Sequence, residues 1–141
     1  MSRIYWDTML FVYALEDHPQ FGSEINRVID RMRERSDTLY TSVFTLGELL
    51  VRPIRESNER LASLIRETLG PPSVEMIPLS RPVMERYAQI RGSQSVLPPD
   101  AIHLACAAES GTDLFLTNDR GLHRLTIPGI QFIAGIDSGL L

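Results

Sequence analysis

Hydrophobic positions along this chain follow two alternating patterns, and their alternation predicts the fold. Short runs of apolar or strand-forming residues predict buried strands at positions 4–6, 38–42, 74–77, 114–117 and 130–134. Between them, apolar residues recur with helical spacing, most clearly at Ile25, Val28, Ile29 and Met32. Because strands that alternate with helices favour a parallel sheet, we expect an α/β fold.

Two predicted helices begin close to acidic residues. Thr45 is expected to open the first, with Glu48 three residues later in a capping-box pattern and Pro53 limiting its length. Pro98-Pro99 leads directly into Asp100, and the alanine-rich stretch 101–109 then predicts a helix that packs closely on the sheet. Both helices therefore carry a carboxylate near a predicted end.

Four acids are each expected where a predicted strand gives way to a helix or turn: Asp7, Glu48, Asp100 and Asp119. In an open parallel sheet these junctions lie along the carboxyl edge of the strands, where ligands bind. Carboxylates that converge there repel one another unless a divalent cation lies between them. Mg²⁺ usually takes only one or two carboxylates, so the surplus suits a second ion or the orientation of water.

Each acid also has a structural explanation. Asp7 is a plausible helix cap, Glu48 completes the capping box, Asp100 suits a helix dipole and Asp119 lies in a turn sequence. Caps are as often Ser, Thr or Asn as Asp, so four acids together favour a shared site. His103 follows Asp100 by three residues, and its preferred interpretation is a structural histidine near that site.

Length, charge and cysteine content limit the classes of protein to which this chain can belong. A chain of 141 residues predicts one domain, residues 1–141, with enough length for a real core. The net charge is −4, all 14 basic residues are arginines, and Cys106 is the only cysteine, so neither a disulfide nor a zinc cluster is expected. No signal peptide, membrane span or glycine-rich nucleotide loop is evident, which favours a cytoplasmic protein without a nucleotide cofactor.

Four short motifs resemble those of PIN-domain ribonucleases, and most closely the VapC-type toxins of toxin–antitoxin pairs. In chain order they are Tyr5–Thr8 (YWDT), Thr41–Leu49 (TSVFTLGEL), Pro99–Ala105 (PDAIHLA) and Leu116–Asp119 (LTND). The resemblance spans about Arg3 to Ile133. Each motif is short, but four in this order and spacing form a specific signal.

The resemblance implies a PIN-like three-layer α/β/α sandwich around a mostly parallel sheet. It also implies an Mg²⁺- or Mn²⁺-dependent nuclease with a small antitoxin as partner, and a homodimer. The acids that match the family's metal and catalytic positions are Asp7, Glu48, Asp100 and Asp119. The supporting polar residues are Ser42, Thr117 and, with a less defined role, Asn118.

The leading hypothesis is an endoribonuclease that cleaves single-stranded RNA, with Arg52, Arg55 and Arg120 supplying local positive charge. Two alternatives remain open. One is a catalytically weak module that binds RNA or an antitoxin, which a missing acid would signal; none is missing. The other is a stand-alone PIN nuclease, a DNA nuclease or a phosphatase with the same metal chemistry, which the sequence separates poorly.

Overall fold

The structure is a computed structural model that describes all residues, 1–141, and its centre is one five-stranded sheet. The predicted strands are all present, with shifts of one or two residues at some ends. They are β1 (Arg3–Trp6), β2 (Thr38–Ser42), β3 (Glu75–Ile77), β4 (Thr112–Leu116) and β5 (Ile130–Ala134).

Six α-helices connect the strands, and a short 3-10 helix at Arg120–Leu122 follows β4. The helices are α1 (Thr8–Glu16), α2 (Gly22–Arg35), α3 (Val43–Arg55), α4 (Glu59–Thr68), α5 (Arg81–Ser93) and α6 (Pro98–Ser110). None of them is both long and apolar enough to cross a membrane.

All neighbouring strands run parallel, in the order β3-β2-β1-β4-β5. From β1 the chain adds β2 and β3 on one side, and later adds β4 and β5 on the other. The order therefore reverses between β1 and β4, whose last residues Trp6 and Leu116 are paired. A cleft at such a switch point is where open α/β sheets bind ligands.

Side chains of the central strands alternate between two hydrophobic cores. Ile4 and Trp6 of β1 face a core shared with α1 to α4, whereas Tyr5 faces a second core shared with α5 and α6. On β4, Leu114 and Leu116 face the first core in the same alternating way. Helices therefore cover both faces, and the predicted α/β/α sandwich with a parallel sheet is confirmed.

The predicted capping box at Thr45 and Glu48 is wrong. Helix α3 begins earlier, at Val43, because the Ser42 side chain caps it by accepting from the Thr45 N–H at 3.4 Å. The Thr45 hydroxyl is buried and bonds to Thr41 at 2.7 Å instead. Glu48 is therefore the sixth residue of α3, which frees its carboxylate from capping.

Two further expectations about helices also need correction. Pro53 lies inside α3, which ends only at Arg55, since a proline removes one hydrogen bond without stopping the next residues. Asp100 does not follow a strand: α5 and a short loop precede α6, and Asp100 lies in its first turn. Because α6 feeds the parallel strand β4, its first turn lies beside the carboxyl edge, which brings Asp100 there by a different route.

Candidate active site

Asp7 lies at the centre of the carboxyl edge, directly after β1. It is the residue before α1, but its side chain makes no capping hydrogen bond. Its Oδ2 accepts a hydrogen bond from the Thr117 hydroxyl, while its Oδ1 is buried and has no hydrogen-bond partner. Leaving a buried acceptor unpaired costs about 1–3 kcal/mol, so this oxygen is available to a cation or a hydrogen-bond donor.

Thr117 joins the ends of β1 and β4 through its hydroxyl. The same oxygen that donates to Asp7 accepts from the Asp119 N–H at 3.1 Å. The Thr117 N–H bonds to the carbonyl of Ala134 at 3.0 Å, which fixes the residue next to β5 as well. Thr117 thus holds one acid by its side chain and the backbone of a second acid.

Asp119 and Asn118 form the turn that follows. Asp119 is exposed, and its Oδ1 caps the 3-10 helix by accepting from the Gly121 N–H at 3.0 Å. Asn118 Oδ1 accepts from the Ile136 N–H at 3.5 Å, a long contact that ties the turn to the C-terminal segment. Asn118 therefore supports the turn and does not contact the acids.

Glu48 reaches the same region from α3, and two side chains hold one of its oxygens. Thr8 donates to Oε1 from the start of α1, and His103 Nε2 lies 2.9 Å from Oε1. No protein group bonds to Oε2. Ser42, predicted to be a supporting residue of the site, caps the helix that carries Glu48.

Each of the four carboxylates has at least one oxygen without a protein hydrogen-bond partner. Asp7, Glu48 and Asp119 each use one oxygen in hydrogen bonds and leave the other without a protein partner. Asp100 is half-buried and uses neither oxygen. The edge thus offers several uncommitted oxygens.

The charges of neighbouring acids shift one another's pKa values. Burial is the main cause that raises the pKa of Asp7, and the charge of Asp100 raises it further. Burial also raises the pKa of Asp100, with added repulsion from Asp119 and Glu48. Burial alone would raise the pKa of Glu48, but hydrogen bonds from His103 and Thr8 bring it below its ordinary value.

The sequence profile of the PIN domain matches residues 4–128, most of the chain. The chain belongs to the PIN domain family. Members of this family are generally nucleases. A search of curated proteins found no match.

Solved structures agree with this PIN fold. VapBC2 from Rickettsia felis, bound to a promoter DNA fragment, is 19% identical with a TM-score of 0.74, over 94% of this chain and 98% of that chain. DNA-bound VapBC from Salmonella typhimurium is 21% identical with a TM-score of 0.73, over 96% and 99%. VapBC-5 from Mycobacterium tuberculosis is 18% identical with a TM-score of 0.63, over 95% and 99%. At these identities the likeness shows the fold.

The acids of this PIN domain fit a hard divalent cation by their chemistry. Carboxylate oxygens are the ligands that Mg²⁺ and Mn²⁺ prefer, and the unpaired, buried Oδ1 of Asp7 needs a positive partner. No three His, Cys, Asp or Glu side chains are arranged to enclose an ion in this structure. Mg²⁺ is usually held by one or two carboxylates together with water and substrate phosphate, so it does not need a full enclosure by protein side chains.

Three residues contribute to this site although the sequence analysis did not assign them a role in it. His103, interpreted as structural, contacts Glu48, and Thr8 donates to the same oxygen. His123, to which the sequence analysis assigned no role, is half-buried and bonds through Nε2 to the carbonyl of Thr117 at 2.7 Å. The spacing of His103 from Asp100, one helical turn, was the only available signal.

The three arginines predicted to contact RNA differ in their surroundings. Arg52 bonds to Glu16 at 2.7 Å and to Glu56 at 3.4 Å, so its charge is already offset. Arg55 and Arg120 are exposed and make no ion pair. Their charges are therefore not offset by an ion pair within the protein.

The raised pKa of Asp7 predicts a stability that depends on pH. In the folded protein Asp7 holds its proton more tightly than in the unfolded chain, where its pKa is about 3.9. The resulting stabilisation is complete below that value and is lost as pH rises through the folded pKa. Asp7→Asn imitates the protonated group, so at neutral pH in EDTA its melting temperature should exceed that of the wild type.

This advantage should shrink as the pH is lowered toward about 4, where the wild-type carboxyl also becomes protonated. Melting curves across that range, with Asp30→Asn as an exposed control on α2, measure it. Each kcal/mol gained raises the melting temperature by about 2–8 °C for domains of this size range. A lower melting temperature for Asp7→Asn at neutral pH would contradict the electrostatic account.

Proposed function

We propose that residues 1–141 form a single PIN-like domain that is a metal-dependent endoribonuclease for single-stranded RNA, the toxin of a toxin–antitoxin pair. The observation that carries this proposal is the set of uncommitted carboxylate oxygens at the switch point, with the buried and unpaired Oδ1 of Asp7 at its centre. Membership of the PIN family supports the same reaction class.

Mg²⁺ or Mn²⁺ would be held by Asp7, Asp100, Glu48 and Asp119. The chemistry that such an ion supplies when bound is activation of a water and neutralisation of charge on the phosphate. The protein's own part is orientation. Thr117 fixes the carboxylate of Asp7, and His103 with Thr8 fixes that of Glu48, so that the remaining oxygens keep their positions.

Direct hydrolysis by water does not need the ribose 2′-hydroxyl as nucleophile. The expected products are therefore 5′-phosphate and 3′-hydroxyl ends. For the same reason the acids by themselves do not distinguish RNA from DNA, and the preference for RNA rests on the resemblance to ribonucleases. A catalytically weak binding module is disfavoured because all four acids are present.

The toxin assignment rests on the structural relatives: VapBC-5 is described as a member of the VapBC family of toxin–antitoxin systems, and the other two also carry the name VapBC. We propose a small antitoxin as partner of this chain, and a homodimer stays a prediction. An open site with several carboxylates and few positive charges suits an inhibitory segment that carries Arg or Lys.

Cleavage by Asp100→Asn tests the nuclease proposal. With Mn²⁺ or Mg²⁺, the wild type should cut single-stranded RNA in preference to single-stranded DNA and a small phosphate ester. Asp100→Asn should lose more than the roughly 10- to 100-fold that follows loss of a residue orienting a metal ligand, because here a proposed ligand itself is removed. Asp30→Asn should cut normally.

Each other result points to a different function. Equal cutting of DNA, or hydrolysis of the small ester alone, would favour the other metal-dependent hydrolases. A wild type that binds RNA without cutting it would favour the binding module. Wild-type rates in Asp100→Asn would contradict the assignment of the site.

Salt dependence tests the arginines. Neutralising Arg55 or Arg120 should weaken RNA binding and reduce the slope of log affinity against log salt by about 0.7 for each phosphate that the side chain neutralises. Arg33→Gln is the matched control, because it removes the same charge from the last turn of α2, which precedes β2 and so lies at the opposite edge of the sheet. Binding measured by fluorescence anisotropy at several salt concentrations gives the slopes. Unchanged slopes for Arg55→Gln and Arg120→Gln would show that these arginines are only solvated.

Titration with Mg²⁺ tests the antitoxin. If an inhibitory cation on the partner occupies the acids, Mg²⁺ and the partner compete, and each must weaken the other by the same factor. The product of a small gene immediately upstream, co-purified with this chain, should therefore dissociate more readily as Mg²⁺ rises. A neighbour that binds without altering cleavage would favour a stand-alone RNA-processing enzyme.

A further inference from the structure

His103 is a buried polar side chain whose role does not follow from the four acids alone. It lies on α6, one helical turn after Asp100, and only 4% of the residue is exposed. Both ring nitrogens have partners: Nδ1 lies 2.8 Å from the hydroxyl of Tyr5, and Nε2 lies 2.9 Å from Oε1 of Glu48 and 3.2 Å from the hydroxyl of Thr8. The contact with Glu48 joins α6 to α3 through two residues that are 55 positions apart in sequence.

The direction of these hydrogen bonds follows from what each group can do. An ionised carboxylate only accepts hydrogen bonds, and Nε2 of His103 lies within hydrogen-bond distance of Oε1 of Glu48. The Nε2 atom of His103 must therefore carry a hydrogen and donate it to Oε1. In the neutral ring Nδ1 is then an acceptor, which matches the hydroxyl of Tyr5 as its donor.

Packing holds the ring in this orientation. Phe44 meets it edge-on with ring centroids 5.5 Å apart, and Tyr5 does so at 5.9 Å. A flip of the ring would break the bonds to Tyr5 and Glu48 at once. The N–H of His103 and the hydroxyl of Thr8 both reach Oε1, whereas Oε2 receives no hydrogen bond from the protein.

We infer that His103 is a positioning residue: with Tyr5 behind it, it fixes Oε1 of Glu48 so that Oε2 is presented to the cation and substrate. This inference rests on the proposed nuclease function. It differs from a merely structural role for a buried histidine, which would support the fold without affecting how the acids bind metal or act on RNA.

Two replacements of His103 separate these roles. His103→Leu fills similar space but cannot donate, whereas the amide N–H of His103→Gln can reach the same oxygen. Loss of a group that orients a ligand typically lowers metal affinity or activity about 10- to 100-fold. We therefore expect His103→Leu to lower kcat and Mn²⁺ affinity in that range with KM for RNA within about twofold, and His103→Gln to recover most of the loss.

Val83→Ala controls for damage to the fold. Val83 belongs to the same core as the ring's neighbour Tyr5 but contacts none of the acids, so its truncation should lower the melting temperature without lowering kcat or Mn²⁺ affinity. Wild-type kcat and Mn²⁺ affinity in His103→Leu would overturn the inference. So would equal losses in the Leu and Gln variants, or losses that Val83→Ala reproduces.

Nitrogen-15 NMR of the histidine ring gives a test without RNA or metal. We expect His103 in the wild type to carry its hydrogen on Nε2, and Tyr5→Phe to disturb the Nδ1 signal. A ring with hydrogen on Nδ1 alone would overturn the inference even if the protein cleaves RNA. A wild type that neither cleaves RNA nor binds Mn²⁺, yet shows the expected ring, would instead contradict the proposed function.

Discussion

Repulsion among carboxylates at one edge of the sheet is the constraint on which the rest of this site depends. Burial and mutual charge raise the pKa of both Asp7 and Asp100, so the folded protein holds these groups ionised at a cost. The surrounding residues lower that cost only in part. Donors such as Thr117 each satisfy one oxygen and leave the other uncommitted.

The topology explains how acids so distant in sequence come together. Pairing of β1 with β4 brings Asp7 beside Thr117 and the turn of Asp119. Asp100 arrives on the first turn of α6, where the positive end of the helix dipole opposes its negative charge. Glu48 arrives from within α3. Strand ends, a helix start and a helix interior thus supply one site.

Local sequence patterns predicted the parts of this arrangement that local forces determine. The runs that form β1, β2 and β4 were recognisable because buried parallel strands are nearly continuously apolar or rich in strand formers. The hydrogen-bond partners of the acids were not recognisable from the sequence. The capping box at Thr45 failed because Ser42 competes for the same N–H one turn earlier. Hydrophobic spacing indicates that His103 is buried, but its bonds reach Tyr5 and Glu48, 98 and 55 residues away, and only the fold establishes those contacts.

The unpaired oxygen of Asp7 links the stability of the PIN domain to its chemistry. A buried acceptor without a partner lowers the free energy of unfolding, and natural chains retain such groups where a ligand later satisfies them. A cation that binds only the folded state would stabilise that state by RT ln(1 + [L]/Kd). Filling the edge with further donors would stabilise the metal-free protein but would also occupy the oxygens that the cation needs. The hydrogen bonds of Thr117 and His103 avoid this conflict because each orients a carboxylate through one oxygen only.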